Sequence, residues 1–113
     1  MKSIKNIPEY QLMWMMVMFD LPTDTHEDRK IASDFRNFLK DNGFEMAQFS
    51  VYMRFTGTKE QSKKYVKLVV KRAPEDGDVC ILFFTDKQFS QIIHIDNMET
   101  GALSKKPDQL MLF

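Results

Sequence analysis

Hydrophobic and polar positions along the chain fall into two kinds of segment, continuous apolar runs and amphipathic stretches. Residues 1–11 are polar and include Pro8, which predicts a short arm. Leu12 to Phe19 (LMWMMVMF) are eight apolar residues in a row. That length suits a strand buried on both faces better than a helix, which needs more turns. Asp20-Leu21-Pro22-Thr23 ends it, because Pro22 cannot donate to a ladder. Thr25-His26-Glu27-Asp28 then has the form of a capping box, with acids suited to a helix N-terminus. Ile31, Phe35, Phe38 and Leu39 recur at helical spacing, and Asn42-Gly43 is a helix stop. From Phe44 to Phe55 the pattern alternates but its parity slips. Phe44 and Met46 are even, whereas Phe49, Val51, Met53 and Phe55 are odd. A period of two cannot change parity without a turn or bulge, so one is expected near Ala47-Gln48, between a short strand and a longer one.

Thr58 to Arg72 reads as a second helix with Tyr65, Val66, Val69 and Ala73 on its apolar face. Pro74 to Gly77 is a loop, and Asp78 to Thr85 holds a second continuous apolar run, Val79 to Phe84. Asp86-Lys87 is read as a turn, and Phe89 to Asp96 as a last, more polar strand. Periodicity is lost over residues 97–108, and the chain ends PDQLMLF. The reading is an N-terminal arm (1–11), one domain (12–96) and a C-terminal tail (97–113).

The order strand-helix-strand-strand-helix-strand is the split βαβ pattern of an α+β, ferredoxin-like βαββαβ sandwich, here with an additional C-terminal strand. Such a sandwich covers one sheet face with two helices and leaves the other open. The first strand is nevertheless apolar on both faces. Either the open face carries a large hydrophobic patch or a second copy covers it, and the expectation is a homodimer packed sheet to sheet.

Composition changes this picture little. The 113 residues and 43% hydrophobic content allow one domain with a real core. Sixteen basic residues balance sixteen acidic ones, so any nucleic-acid surface must come from how charge is distributed. The single Cys80 excludes an internal disulfide and a cysteine-rich zinc site, and its apolar surroundings predict a buried thiol. No stretch reaches the roughly 20 apolar residues of a membrane span, and MKSIKNIPEYQL lacks a signal-peptide core, so a cytoplasmic protein is expected. The nine Met and ten Phe are read as core filling.

Few residues suggest chemistry. Asp20 lies where the first strand gives way to a loop. It either organises the turn or holds Mg²⁺, and two copies meeting on a two-fold axis would bring two such carboxylates to one ion. In Thr58–Ala73 six basic residues stand against the single acid Glu60. Lys59, Lys63, Lys67 and Lys71, spaced by four, form one stripe that either tracks phosphates or is a solvated helix face. The first helix is charge-balanced, with Arg29 and Arg36 as candidates for backbone contacts. Ser50 and Tyr52, in FSVY, share a strand face with Arg54, and Ser50 either bonds phosphate, orients the strand-end site or is a plain sheet hydroxyl. No His-Cys spacing suggests zinc, and no nucleophile–base pair or Gly-rich phosphate loop is present.

A hydrophobic strand ending Phe19-Asp20-Leu21-Pro22, a helix running from Arg29-Lys30 to Phe38-Leu39-Lys40 and stopping at Asn42-Gly43-Phe44, and the segment Gln48-Phe49-Ser50-Val51-Tyr52 together resemble the CRISPR-associated protein 2 family. The resemblance covers roughly residues 12–96. It implies a ferredoxin-like fold, a symmetric dimer and a place in spacer acquisition, where members bridge integrase dimers and bind the spacer-precursor duplex. It also implies metal-dependent nuclease activity on single-stranded RNA or double-stranded DNA. The family's strand-end aspartate, with Mg²⁺ or Mn²⁺ as its ion, falls on Asp20, and its serine falls on Ser50. The aromatic before the aspartate is often Tyr in the family and is Phe19 here.

Three functions follow: an architectural subunit holding duplex DNA between integrase dimers, a Mg²⁺-dependent endonuclease using Asp20, and a ferredoxin-like regulatory module without nucleic acid. The tail adds a partner. Gln109-Leu110-Met111-Leu112-Phe113 ends the chain with large apolar groups that need cover. Packing on its own dimer, strand addition to the integrase and docking on the replicative sliding clamp all suit it. Gln109, Leu110, Leu112 and Phe113 resemble the clamp-binding peptide.

Overall fold

A computed structural model of the chain describes residues 11–95. Strand β1 (Met13–Asp20) leads to helix α1 (His26–Asp41), then β2 (Glu45–Gln48), β3 (Val51–Gly57), helix α2 (Lys59–Arg72), β4 (Asp78–Thr85) and a single helical turn, α3 (Asp86–Phe89). The sheet order is β2-β3-β1-β4, with antiparallel neighbours throughout. This is the ferredoxin-like α+β arrangement expected from the pattern of runs.

Each helix starts at a reciprocal cap. Thr25 Oγ1 accepts from the Asp28 N–H at 3.0 Å, while Asp28 Oδ2 accepts from the Thr25 N–H at 3.3 Å. Thr58 with Gln61, and Thr85 with Gln88, repeat the motif at α2 and α3. At the other end of α1 the Asn42 side chain donates to the Phe38 carbonyl at 2.8 Å, and Gly43 takes a φ of +85°.

The helices cover one face of the sheet. Met15, Val17 and Phe19 of β1 pack there with Ala32, Phe35, Phe38 and Leu39 of α1, Tyr52 of β3 and Val69 of α2. Ile31, expected on this face, lies on the exposed side of α1. Phe19 meets Phe35 edge to face, with centroids 5.1 Å apart. Burying each such ring contributes about 1.5–3 kcal/mol.

The even positions of β1 point the other way. Trp14, Met16 and Met18 pair in register with Phe55, Met53 and Val51 of β3 and with Phe84, Leu82 and Cys80 of β4. This second face is apolar, as the eight-residue run requires. Met18, Phe55 and Leu82 on it are exposed in the single chain. Cys80 is exposed too, against the expectation of a buried thiol, because it falls on this face and not against the helices.

Two local readings change. The expected strand Phe89–Asp96 is absent over its described residues, so the sheet has four strands and no additional C-terminal one among the described residues. Thr85 caps a helical turn there, which carries Phe89 back onto the open face. Its ring stacks on Trp14 at 3.7 Å, and Trp14 Nε1 donates to Asp86 Oδ1 at 2.8 Å. The parity slip is resolved by both devices considered for it. A register shift lies between Met46 and Gln48, and a turn at Phe49-Ser50 joins β2 to β3. Ser50 therefore stands in the turn, at φ +66°, and does not share the β3 face of Tyr52 and Arg54. The arm and the tail, with Gln109, Leu110, Leu112 and Phe113, lie outside the described residues. Among the described residues no helix is long and apolar enough to cross a membrane.

Candidate metal and nucleic-acid site

Asp20 is the last residue of β1, exposed, and on the open face by strand alternation. Its neighbour in register is Asp78, the first residue of β4. Two carboxylates therefore face each other across the β1–β4 ladder at one end of the sheet. Asp78 was not singled out from the sequence. Only the pairing of the first and last strands reveals it, although its place just ahead of an apolar run marks a strand end. The loop before β4 is moulded to this end. Gly77 has a φ of +94°, and a Cβ there would lie 2.6 Å from the Asp20 carbonyl oxygen and 2.9 Å from Leu21 Cδ2. Only glycine fits that backbone at that approach.

Ser50 lies at the same end. Its carbonyl accepts the Phe19 N–H at 3.0 Å, which ties the β2–β3 turn to the residue before Asp20. Its hydroxyl accepts from Arg36 Nη2 at 3.3 Å. The Arg36 guanidinium lies 5.5 Å from the centroid of Phe19 and 4.4 Å from that of Phe49. Arg36 is thus held by three residues of the strand end and the turn. Arg29 also has a local task, donating through Nη1 to the carbonyls of Thr23 at 3.0 Å and Asp24 at 3.3 Å in the loop after β1.

The lysine stripe is elsewhere. Lys63, Lys67 and Lys71 are exposed on α2 and Lys59 is half-buried at its first turn. Lys63 makes one weak pair with Glu60 at 3.7 Å. Helix α2 packs on the sheet face opposite to the one Asp20 points from. One chain therefore brings Asp20, Ser50 and Arg36 to one end of the sheet, with Asp20 on the open face and Arg36 over Phe19 on the helix side, while the stripe runs along α2.

The family model described as CRISPR associated protein Cas2 matches residues 13–92. The chain belongs to the Cas2 family. It is 46% identical over 104 residues to a protein of Paracidovorax avenae named CRISPR-associated endoribonuclease Cas2, covering 92% of this chain and 96% of that one. Proteins of the same name from Flavobacterium psychrophilum (40% over 105 residues, 93% and 91% covered) and Parvibaculum lavamentivorans (40% over 101 residues, 89% and 100% covered) are also similar. The Cas2 match spans every strand, both long helices, and the Asp20, Ser50 and Arg36 positions.

Proposed function

We propose that this Cas2-family chain is a metal-dependent endoribonuclease in which Asp20 from each of two copies binds a divalent cation. The exposure of Asp20 at the end of β1, on the uncovered apolar face, carries this reading, and the names of the relatives support it. Among the described residues no group of three or more His, Cys, Asp or Glu side chains could hold a metal within one chain. Asp20 and Asp78 supply hard oxygen donors, and Mg²⁺ or Mn²⁺ uses one or two carboxylates and completes its shell with water and substrate phosphate. One chain supplies two such carboxylates at this end of the sheet, and a two-fold axis through the open face would bring the second copy's Asp20 to the same ion. When bound, the cation would neutralise the charge of the scissile phosphate and activate a water. Asp20 would hold the ion, and Gly77 and Ser50 fix the backbone beside Asp20. Substituting Asp20→Asn is expected to abolish cleavage of single-stranded RNA in Mg²⁺ while leaving the thermal midpoint within a few degrees. Cleavage that persists in Asp20→Asn or in excess chelator would end this reading.

The exposed lysines of α2 favour a second reading, a scaffold that holds spacer-precursor duplex between integrase dimers. Phosphate contacts of this kind are sequence-blind and salt-dependent. Reversing Lys67 and Lys71 to Glu should weaken duplex binding for all sequences and flatten its salt dependence. In an integration assay with purified integrase, a pure scaffold retains spacer insertion in Asp20→Asn.

A further inference from the structure

Phe49 occupies the turn between β2 and β3 and is 77% exposed, the most exposed aromatic of the described residues. Turns favour polar residues and glycine, so a phenyl ring left this exposed is unusual there. The ring is nevertheless braced. The Arg36 guanidinium lies 4.4 Å from its centroid and is itself backed by Phe19 at 5.5 Å. Arg36 Nη2 donates to Ser50 Oγ at 3.3 Å, and its Nε is buried with no hydrogen-bond partner among the described residues. Ser50 holds the left-handed φ of +66° that aims the turn, and its carbonyl is bonded to the Phe19 N–H at 3.0 Å. An exposed ring is thus braced against a cation at the end of the sheet that carries Asp20, with Arg36 on the helix side, over Phe19.

We infer that Phe49, braced by Arg36, is a stacking platform for an unpaired nucleobase next to the Asp20 end of the sheet. The inference rests on the nuclease reading and adds to it how the strand is held. A flat, rigid ring binds any base face at little entropic cost, and the neighbouring guanidinium attracts the phosphate that follows the base. Bases inside a duplex are already stacked on each other and do not reach such a ring. The platform therefore selects single-stranded over double-stranded substrate without reading sequence.

The test uses the full chain in the Asp20→Asn background, which separates binding from turnover. The probes are a fluorescein-labelled 12-nucleotide oligouridine RNA, the equivalent single-stranded DNA and a 12-base-pair DNA duplex. Phe49→Ala is expected to weaken binding of the single strands about fivefold or more, the lower end of what one base–aromatic stack is worth. Duplex binding is expected to stay within about twofold, as for a contact made only with unpaired bases. Phe49→Trp should retain affinity, and Phe49→Leu, equally apolar but not planar, should not. In RNA carrying 2-aminopurine, emission should fall on binding the Phe49 form and fall less with Phe49→Ala. Single-strand affinity unchanged in Phe49→Ala, equal losses on duplex and single strand, or full affinity in Phe49→Leu would each overturn the platform. If Asp20→Asn removes RNA cleavage while Phe49→Ala leaves single-strand binding intact, the nuclease reading stands and only the platform falls. If neither RNA binding nor cleavage is found in the wild-type chain, both fall.

Discussion

At the scale of single residues, the strand end is held by backbone that tolerates little change. Gly77 is the sharpest case. Alanine there would both strain a φ of +94° and press a methyl group against the Asp20 carbonyl. Gly77→Ala is expected to lower unfolding free energy by about 1–3 kcal/mol, the usual range for a strained backbone position, as read by urea denaturation. RNA cleavage should fall further than stability alone explains, because the displaced atoms belong to Asp20. A midpoint within error of wild type would show that the loop relaxes freely. Tyr52 presents the opposite situation. It is fully buried against Phe19, and among the described residues its hydroxyl has no hydrogen-bond partner. Tyr52→Phe removes a desolvated polar group and keeps the ring, so stability should rise by about 1 kcal/mol. A drop in the urea midpoint would mean that the hydroxyl is satisfied after all. Neither feature could be read from the chain alone. Both depend on which atoms meet across the sheet, and residue types only state that a loop and a strand are present.

At the scale of elements, legibility follows how local the determining forces are. Strand β1, the cap at Thr25 and the stop at Asn42-Gly43 are set by neighbours within a few positions, and all three match the sequence reading. The break in alternation between Phe44 and Phe55 falls at the Met46–Gln48 register shift and the Phe49-Ser50 turn, because the period of a strand is a local property. The segment from Asp86 failed for an instructive reason. Its Thr85-x-x-Gln88 box has the same form as Thr58-x-x-Gln61 and starts a helical turn where the reading expects a turn followed by a polar strand. The decisive contact, Phe89 on Trp14, spans the whole domain and leaves no local trace. Caps of this kind have measurable worth. At α2, Thr58 Oγ1 accepts from the Gln61 N–H at 3.3 Å, and Gln61 Oε1 accepts from the Thr58 N–H at 2.8 Å. Thr58→Ala should cost about 1 kcal/mol of stability, whereas Thr58→Ser should cost little. Equal losses in both variants would assign the effect to the methyl group and not to the cap.

At the scale of the whole molecule, the uncovered sheet face decides what the chain does in water. Met16, Met18, Leu82, Phe84 and Phe55 form one apolar surface, flanked at one end by the paired carboxylates Asp20 and Asp78. Met18, Phe55 and Leu82 on it are exposed in the single chain, and large contiguous apolar surfaces are rare on monomers. A second copy is the simplest cover, and a two-fold axis through the face would place two Asp20 side chains within reach of one ion. In an isologous interface every contact occurs twice, so one introduced charge enters twice. Leu82→Glu should therefore convert a dimer to a monomer. The monomer should keep its helical circular dichroism, because Leu82 is already exposed in the single chain and the helix-side core does not include it. Cys80, the only cysteine, lies on the same face and reports the change. Its thiol should react slowly with an aromatic disulfide reagent in the wild-type dimer and fast in Leu82→Glu. If the ion is shared as proposed, cleavage should disappear together with the dimer, since each monomer would bring only one Asp20 to it. Lys67→Glu, on the far layer, should stay dimeric and keep its slow thiol. A wild-type chain that scatters light as a monomer at micromolar concentration, or a Leu82→Glu chain that remains a dimer with a slow thiol, would remove the shared-ion site along with the interface.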